Sequence, residues 1–248
     1  MLEINDVSVA NRLQQLRVEI ASGQLVGVIG PNGAGKSTLL QALAGVTPSS
    51  AGWIEFNQTN IDKCSAHRRR QLLSYLPQYS KFSEPVTTCD LLKLSQINLQ
   101  ATPQQRKDWR TSAIAKFQLD ALRGRPVTEL SGGEQRRVAI ACMASSNRPL
   151  MLLDEPVSGL DLYHQLSTMD WLKSCAQQGA TVLIAIHDLA LAAQYCDHLL
   201  LLNKGQQLAF GSPSEVLSDT NLASAFQVSV DWLCHAKGVA MLTRRLDN

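Results

Sequence analysis

The sequence predicts an α/β fold: a core of buried parallel strands and helices, an N-terminal antiparallel β-subdomain and a helical subdomain. Three observations carry this expectation. Wholly apolar runs of strand length recur at Leu25–Ile29, Leu150–Leu153 and Val182–Ile186, as strands covered on both faces require. A helix-like segment, 162–177, separates the last two. Over roughly residues 79–130 the strand signal fades, polar helix formers rise at Gln104–Lys107 and Ala113–Lys116, and Pro85 and Pro103 punctuate. The expected organisation is one domain, 1–248. Residues 1–78 and 150–248 form the α/β core with its β-subdomain, and 79–149 form the helical subdomain and the helix that follows it.

Taken in order, Val7–Val9 and Leu16–Ile20 are short apolar stretches that read as an antiparallel edge sheet, and Trp53–Asn57 alternates with period two and joins them. Leu25–Ile29 reads as the first buried strand. It runs into Gly30-Pro31-Asn32-Gly33-Ala34-Gly35-Lys36-Ser37-Thr38, a complete Gly-x-x-x-x-Gly-Lys-Ser loop, and a helical run follows to Ala44. Strand, loop and helix in that order form a phosphate site. Glycines let the backbone wrap and turn its N–H groups toward phosphate oxygens, and the helix N-terminus adds partial positive charge. Lys36 can reach the β- and γ-phosphates of a nucleoside triphosphate, and the Ser37 hydroxyl can hold Mg²⁺.

Further along, Gln78 closes a predicted strand, Leu73–Gln78. Leu130-Ser131-Gly132-Gly133-Glu134-Gln135 precedes a predicted helix over 134–144, so a hydroxyl and bare backbone N–H groups again meet a helix N-terminus. Asp154 ends the strand Leu150–Leu153 and is placed to help hold Mg²⁺. Glu155, one residue on, is suited to take a proton from an attacking water. Ser158-Gly159-Leu160-Asp161 follows, and His187 sits just past the strand Val182–Ile186.

Composition narrows the partners. A net charge of +2 gives no reason to expect nucleic acid, and the densest basic run, His67–Arg70, reads as a solvated helix face. Six cysteines without a C-x-x-C pair point to a reducing compartment and away from zinc or a disulfide framework. The five histidines show no ligand spacing, and no apolar run approaches the length of a membrane span. The N-terminus has neither a basic nor an apolar leader region. A cytoplasmic protein whose membrane attachment comes through a partner is expected.

The six elements in this order, the Ser-Gly-Gly-Glu stretch above all, resemble the ATP-binding-cassette (ABC) ATPases over essentially the whole chain. The resemblance implies a P-loop NTPase (RecA-like) core that binds ATP with Mg²⁺. It implies that Gly30, Pro31, Asn32, Gly33, Ala34, Gly35, Lys36, Ser37 and Thr38 bind the nucleotide, and that Ser37, Gln78 and Asp154 hold the metal. Glu155, His187 and Gln78 carry the catalytic roles, with His187 at the γ-phosphate. In that family the Ser131, Gly132, Gly133 and Glu134 signature completes the ATP site of a second copy in a head-to-tail homodimer, with Asp161 at the interface. One departure stands out. Residues 1–52 contain no Phe, Tyr or Trp, where most of these ATPases stack a ring on adenine; the guanidinium of Arg12 is the candidate substitute.

The segment after His187 resembles the tail of importer ATPases, without the added β-barrel regulatory domain of sugar importers. The nearest resemblance is to the members serving cobalamin, haem and iron–siderophore uptake. The short loop at Ala10–Leu13 and the compact helical region resemble the vitamin B12 import ATPases. The Gly-Arg-x-Pro stretch usual in siderophore members is absent from the comparable region around Leu94–Leu99. This implies an ATPase on the cytoplasmic face of the inner membrane that powers vitamin B12 (cobalamin) uptake. Its partners would be two multi-span permease subunits and, through them, a periplasmic substrate-binding protein. An iron–siderophore or haem importer is the alternative. A soluble ATPase acting outside transport, such as one in iron–sulfur assembly, is the alternative of another class.

Overall fold

Leu25–Ile29 form strand β3, and all five residues are buried. The computed structural model describes residues 1–79, 82–97, 99–235 and 238–245. On either side of β3 lie β6 (Leu73–Leu76), β7 (Leu150–Asp154), β8 (Thr181–Ala185), β9 (His198–Asn203) and β10 (Gln206–Gly211), in the order β10-β9-β3-β8-β7-β6. Neighbours run parallel except β10, which pairs antiparallel with β9.

Successive side chains of a strand point to opposite faces. Val26, Val28, Leu150, Leu152, Leu183, Ala185, Leu200 and Leu202 enter one core, and Leu25, Ile29, Met151, Leu153, Val182, Ile184, Leu199 and Leu201 enter the other. Both faces are covered, so these strands read as unbroken apolar runs. Each fully buried Leu or Ile contributes about 1.5–3 kcal/mol, and a charge at a position such as Leu152 would have no solvent to reach.

The first core is closed by helix α1 (Lys36–Leu43) and a second, antiparallel sheet. That sheet has the order β2-β1-β4-β5, from β1 (Leu2–Val9), β2 (Leu13–Ile20), β4 (Ala51–Phe56) and β5 (Thr59–Asn60). β2 alternates as a one-sided strand should, with Leu16, Val18 and Ile20 buried and Arg17 and Glu19 exposed. A register shift with left-handed Gln15 (φ 47°) lets both Leu13 and Leu16 face inward.

Helix α2 (Ala66–Leu72) leads into β6, and α3 (Thr88–Leu94), α4 (Pro103–Lys116) and α5 (Gly132–Ser146) follow. A buried amide ties these last three together. Gln96 donates to the carbonyls of Arg106 and Ser145, both at 2.9 Å, and accepts from Arg110. The second core is completed by α5, α6 (Leu162–Gln177), α7 (Leu189–Tyr195), α8 (Pro213–Val216) and α9 (Asp219–Phe226). The edge of Phe117, at the end of α4, meets Trp171 of α6 with centroids 5.4 Å apart.

Two expectations change, and one element had none. The strand before Gln78 ends at Leu76, because Pro77 has no N–H for the ladder. The basic run on α2 is not wholly solvated: Arg69 turns in and donates to the carbonyls of Ile61 and Gly45. The chain also folds a hairpin of β11 (Val228–His235) and β12 (Gly238–Arg245), foreshadowed only by the alternation Val228-Ser229-Val230-Asp231-Trp232. Among the described residues no helix is long and apolar enough to cross a membrane.

Candidate active site

The four adjacent parallel strands β3, β8, β7 and β6 deliver their carboxyl ends to one place, as open α/β sheets do for ligands. The phosphate loop leaves β3, His187 lies two residues beyond β8, Asp154 ends β7, and Gln78 lies two residues beyond β6. The loop needs its glycines. Gly30 has φ 146°, and a Cβ there would strike the Leu202 carbonyl. Gly35 has φ 107°, and a Cβ would lie 2.7 Å from a Leu13 methyl. Gly35 is also the N-cap of α1, and no side chain caps that helix. Its first-turn N–H groups therefore face the loop ready for an anion.

Lys36 is only 6% exposed, and its Nζ donates to the carbonyls of Gly30 (2.7 Å) and Pro31 (3.1 Å). Burial lowers its pKa, and the nearby Glu155 and Asp154 carboxylates oppose that shift. A cavity of about 250 Å³ gathers Arg12, Asn32, Gly33, Ala34, Gly35, Lys36, Ser37 and Thr38 with Gln78, Glu155 and His187. A second concavity of about 760 Å³ adjoins it through Arg12, Ser37 and Thr38 and continues along Val9, Ala10, Gln41 and Thr47–Ser50. Its lining holds no aromatic ring, so a base lying there meets the Arg12 guanidinium and aliphatic or hydroxyl groups.

Glu155 joins the three side chains for which the sequence implies catalytic roles. Gln78 Nε2 donates to Glu155 Oε1 at 2.9 Å, and His187 Nε2 lies 2.6 Å from the same oxygen. His187 thus stands on the carboxylate itself. Glu155 has φ 51°, left-handed for a residue with a Cβ, and such strain at a site costs on the order of 1–3 kcal/mol. Asp154 is buried behind it, and burial raises its pKa against a hydrogen bond with Ser37. Its Oδ1 has no hydrogen-bond partner among the described residues. An orphaned carboxylate oxygen beside the Ser37 hydroxyl and the Gln78 amide is an all-oxygen donor set, which fits Mg²⁺.

The signature lies elsewhere. Ser131, Gly133 and Glu134 share a separate concavity with Gly159, Leu160, Asp161 and His164, and none of these lines the phosphate-loop cavity. Ser131 caps α5 in a reciprocal box: its Oγ accepts from the Glu134 N–H, and Glu134 Oε2 accepts from the Ser131 N–H and hydroxyl at 2.8 and 2.7 Å. These bonds hold the Glu134 carboxyl below its usual pKa. Asp161 caps α6, accepting from the His164 N–H at 2.9 Å. Gly132 is exposed at the same helix end.

One residue in this network is absent from the sequence expectations. Arg136, on α5, donates to carbonyls of both the Gln78 and the Glu155 segments. Nothing in a polar helix position announces such an inward turn; only its spacing from the signature ties it to the site.

The ABC transporter family profile matches residues 13–158. The hemin import ATP-binding protein HmuV of Pseudomonas entomophila is 36% identical over 223 residues, 88% of each chain. The protein of the same name from Pseudomonas aeruginosa is 36% identical over 241 residues, 93% of this chain and 94% of that one. The chain belongs to the ABC transporter family. This ABC ATPase also superimposes on an inward-facing ABC transporter assigned to the metal-chelate type, with TM-score 0.80 and 27% identity over 99% of this chain and 97% of that one. It binds ATP, and its hydrolysis of ATP is coupled to transport.

Proposed function

We propose that this ABC ATPase is the subunit that powers a haem importer. The observation that carries the proposal is 36% identity, across about nine-tenths of both chains, to proteins named for hemin import. It moves the substrate from the vitamin B12 expected from the short N-terminal loop to the haem alternative. That loop shapes the nucleotide end of the chain, which touches no cargo, so it is a weak guide to what is carried.

Phosphates enter the loop over the free N–H groups of α1, and Lys36 exchanges its two carbonyls for phosphate oxygens. Ser37, Asp154 and Gln78 would hold Mg²⁺, which would supply charge neutralisation at the phosphates. Glu155 accepts the proton of the attacking water, while Gln78 and His187 orient its carboxylate. Arg12 lies against the base. Ser131, Gly132, Gly133 and Glu134 act on the ATP of a second copy, and Asp161 lies at that interface. The signature and the phosphate loop line different concavities with no residue in common, which supports this arrangement.

The ATPase dimer sits peripherally on the cytoplasmic face of the inner membrane, bound to two permease subunits that receive cargo from a periplasmic binding protein. Residues 79–149 act as the arm that meets the permease. An apolar cleft of about 530 Å³, with Tyr75, Pro77 and Phe82 facing Leu94 and Ile97, is the surface offered. Leu94 and Ile97 are 49% and 55% exposed, and the cleft is lined by Pro77, the residue before the Gln78 that bonds Glu155.

The test is reconstitution with a haem-importer permease and its periplasmic binding protein. Haem-loaded binding protein is expected to stimulate ATP hydrolysis and haem uptake into vesicles. Stimulation by cobalamin or a ferric siderophore instead would overturn the substrate and leave the ATPase intact.

A further inference from the structure

Arg136 has an unusual set of partners for a buried cation. It is 8% exposed, yet no carboxylate pairs with it among the described residues. Its guanidinium bonds backbone carbonyls alone. Nη2 donates to Asp154 O (2.6 Å) and Glu155 O (2.7 Å). Nη1 donates to Pro77 O (2.8 Å) and Gln78 O (3.3 Å), and Nε to Pro156 O (3.3 Å). Five acceptors match the five N–H groups of a planar fork, a set that the point charge of lysine cannot span.

The choice of acceptors is informative. All five belong to the two short segments that carry Gln78 and Glu155. The 77–78 segment lies beyond the end of β6, and 154–156 leaves the sheet at the last pairing of β7, Asp154 with Ala185; both must hold a set position if Gln78 Nε2 is to meet Glu155 Oε1. Glu155 sits in a left-handed conformation that its own side chain disfavours, with its carbonyl taken by Nη2. Its N–H is held separately by the Ala185 carbonyl at 3.1 Å. Arg136 is also one helical turn from Gly132, at the start of α5. The helix that presents the signature therefore grips the backbone of the base.

We infer that Arg136 is a positioning residue for hydrolysis. It holds the 77–78 and 154–156 backbones in the register that lets Gln78 and His187 orient Glu155, and it ties that register to the signature helix. This rests on Glu155 being the base. Arg136 does not line the phosphate-loop cavity, so it acts on turnover and not on nucleotide affinity.

The test uses Arg136→Lys and, as a second variant, Arg136→Gln, in the full chain assembled with its permease. Both are expected to lower kcat by about 10- to 100-fold, with KM and ATP affinity within about twofold of wild type. Lysine should not rescue, because it keeps the charge and loses the fork. The decisive measurement is single-turnover hydrolysis by the Glu155→Gln/Arg136→Lys double variant. It should be no slower than Glu155→Gln alone, since residues acting through one group are not additive. A multiplied loss in the double variant, a parallel loss of ATP affinity, or wild-type kcat in both single variants would overturn the inference. Near-normal turnover by Glu155→Gln would instead overturn the base, a separate failure read on a separate protein.

Discussion

Two glycine-bearing helix N-termini stand in this molecule, and they are built in opposite ways. At α1 the cap is Gly35, left-handed, with no side chain closing the helix and a buried lysine one residue on. At α5 the cap is Ser131 in a reciprocal box with Glu134, exposed to solvent. The first end is incomplete without an anion. The second is closed by its own side chains, and in the proposed dimer it would offer its remaining donors to the phosphate of a second copy. The cap residue separates the two: Gly35 leaves the helix end without a side-chain partner, and Ser131 supplies one.

The sharpest break of this contrast is at the carboxylate that only the first end faces. Glu155→Gln is expected to retain ATP binding and lose hydrolysis by about 10²- to 10⁴-fold, the usual contribution of a positioned base. Steady-state phosphate release checks it, and turnover near wild type would remove Glu155 from its role.

Next come the two helix ends directly. Lys36→Ala removes the buried counter-charge, at about 2–5 kcal/mol, or roughly 30-fold or more in Kd. Ser131→Arg should leave the affinity of the isolated chain for ATP unchanged and abolish hydrolysis in the assembled dimer. Equilibrium binding and hydrolysis on the same preparations separate them. Equal loss of affinity in both variants would erase the distinction between the ends.

A smaller effect belongs to the base side of the first cavity. Arg12→Ala should weaken ATP severalfold, since a stacked cation is worth about 0.5–2 kcal/mol. The same affinity for ATP in Arg12→Ala as in wild type would show that the base is held by the rest of the slot.

The smallest concerns stability. Burial raises the Asp154 pKa, so the native state holds that proton more tightly than the unfolded chain. Stability falls as pH rises from the unfolded carboxylate pKa through the native one. Asp154→Asn, without nucleotide or metal, should therefore melt above wild type at neutral pH, read by thermal unfolding at neutral and acidic pH. The gain should vanish on acidification. A variant that melts below wild type at neutral pH would mean that Asp154 is satisfied by the protein alone.

Much of the site was legible because strand ends are. A buried strand announces itself by an unbroken apolar run, and the polar residues that end or follow it lie at its carboxyl end; that locates Asp154, Glu155 and His187, while their roles came from the family resemblance. What was not legible depends on closure across the chain. Nothing in the sequence says that His187 meets Glu155, 32 residues away, or that Arg136 turns into the core instead of into water. Even a local pattern can hide behind a functional one. Ser131-x-x-Glu134 has capping-box spacing, and the glycines between them draw attention to phosphate instead.

Lys36, hydrogen-bonded to the carbonyls of Gly30 and Pro31, has a kinetic consequence. These two bonds let the chain itself hold the ammonium inside the loop, so nucleotide meets a cradle already shaped for it. Recharging is then a swap of partners at one ammonium group, with no segment to fold. Nucleotide association should follow a single exponential whose rate climbs in proportion to ATP concentration, and the slow phase of the transport cycle should lie elsewhere, in the meeting and parting of the two chains.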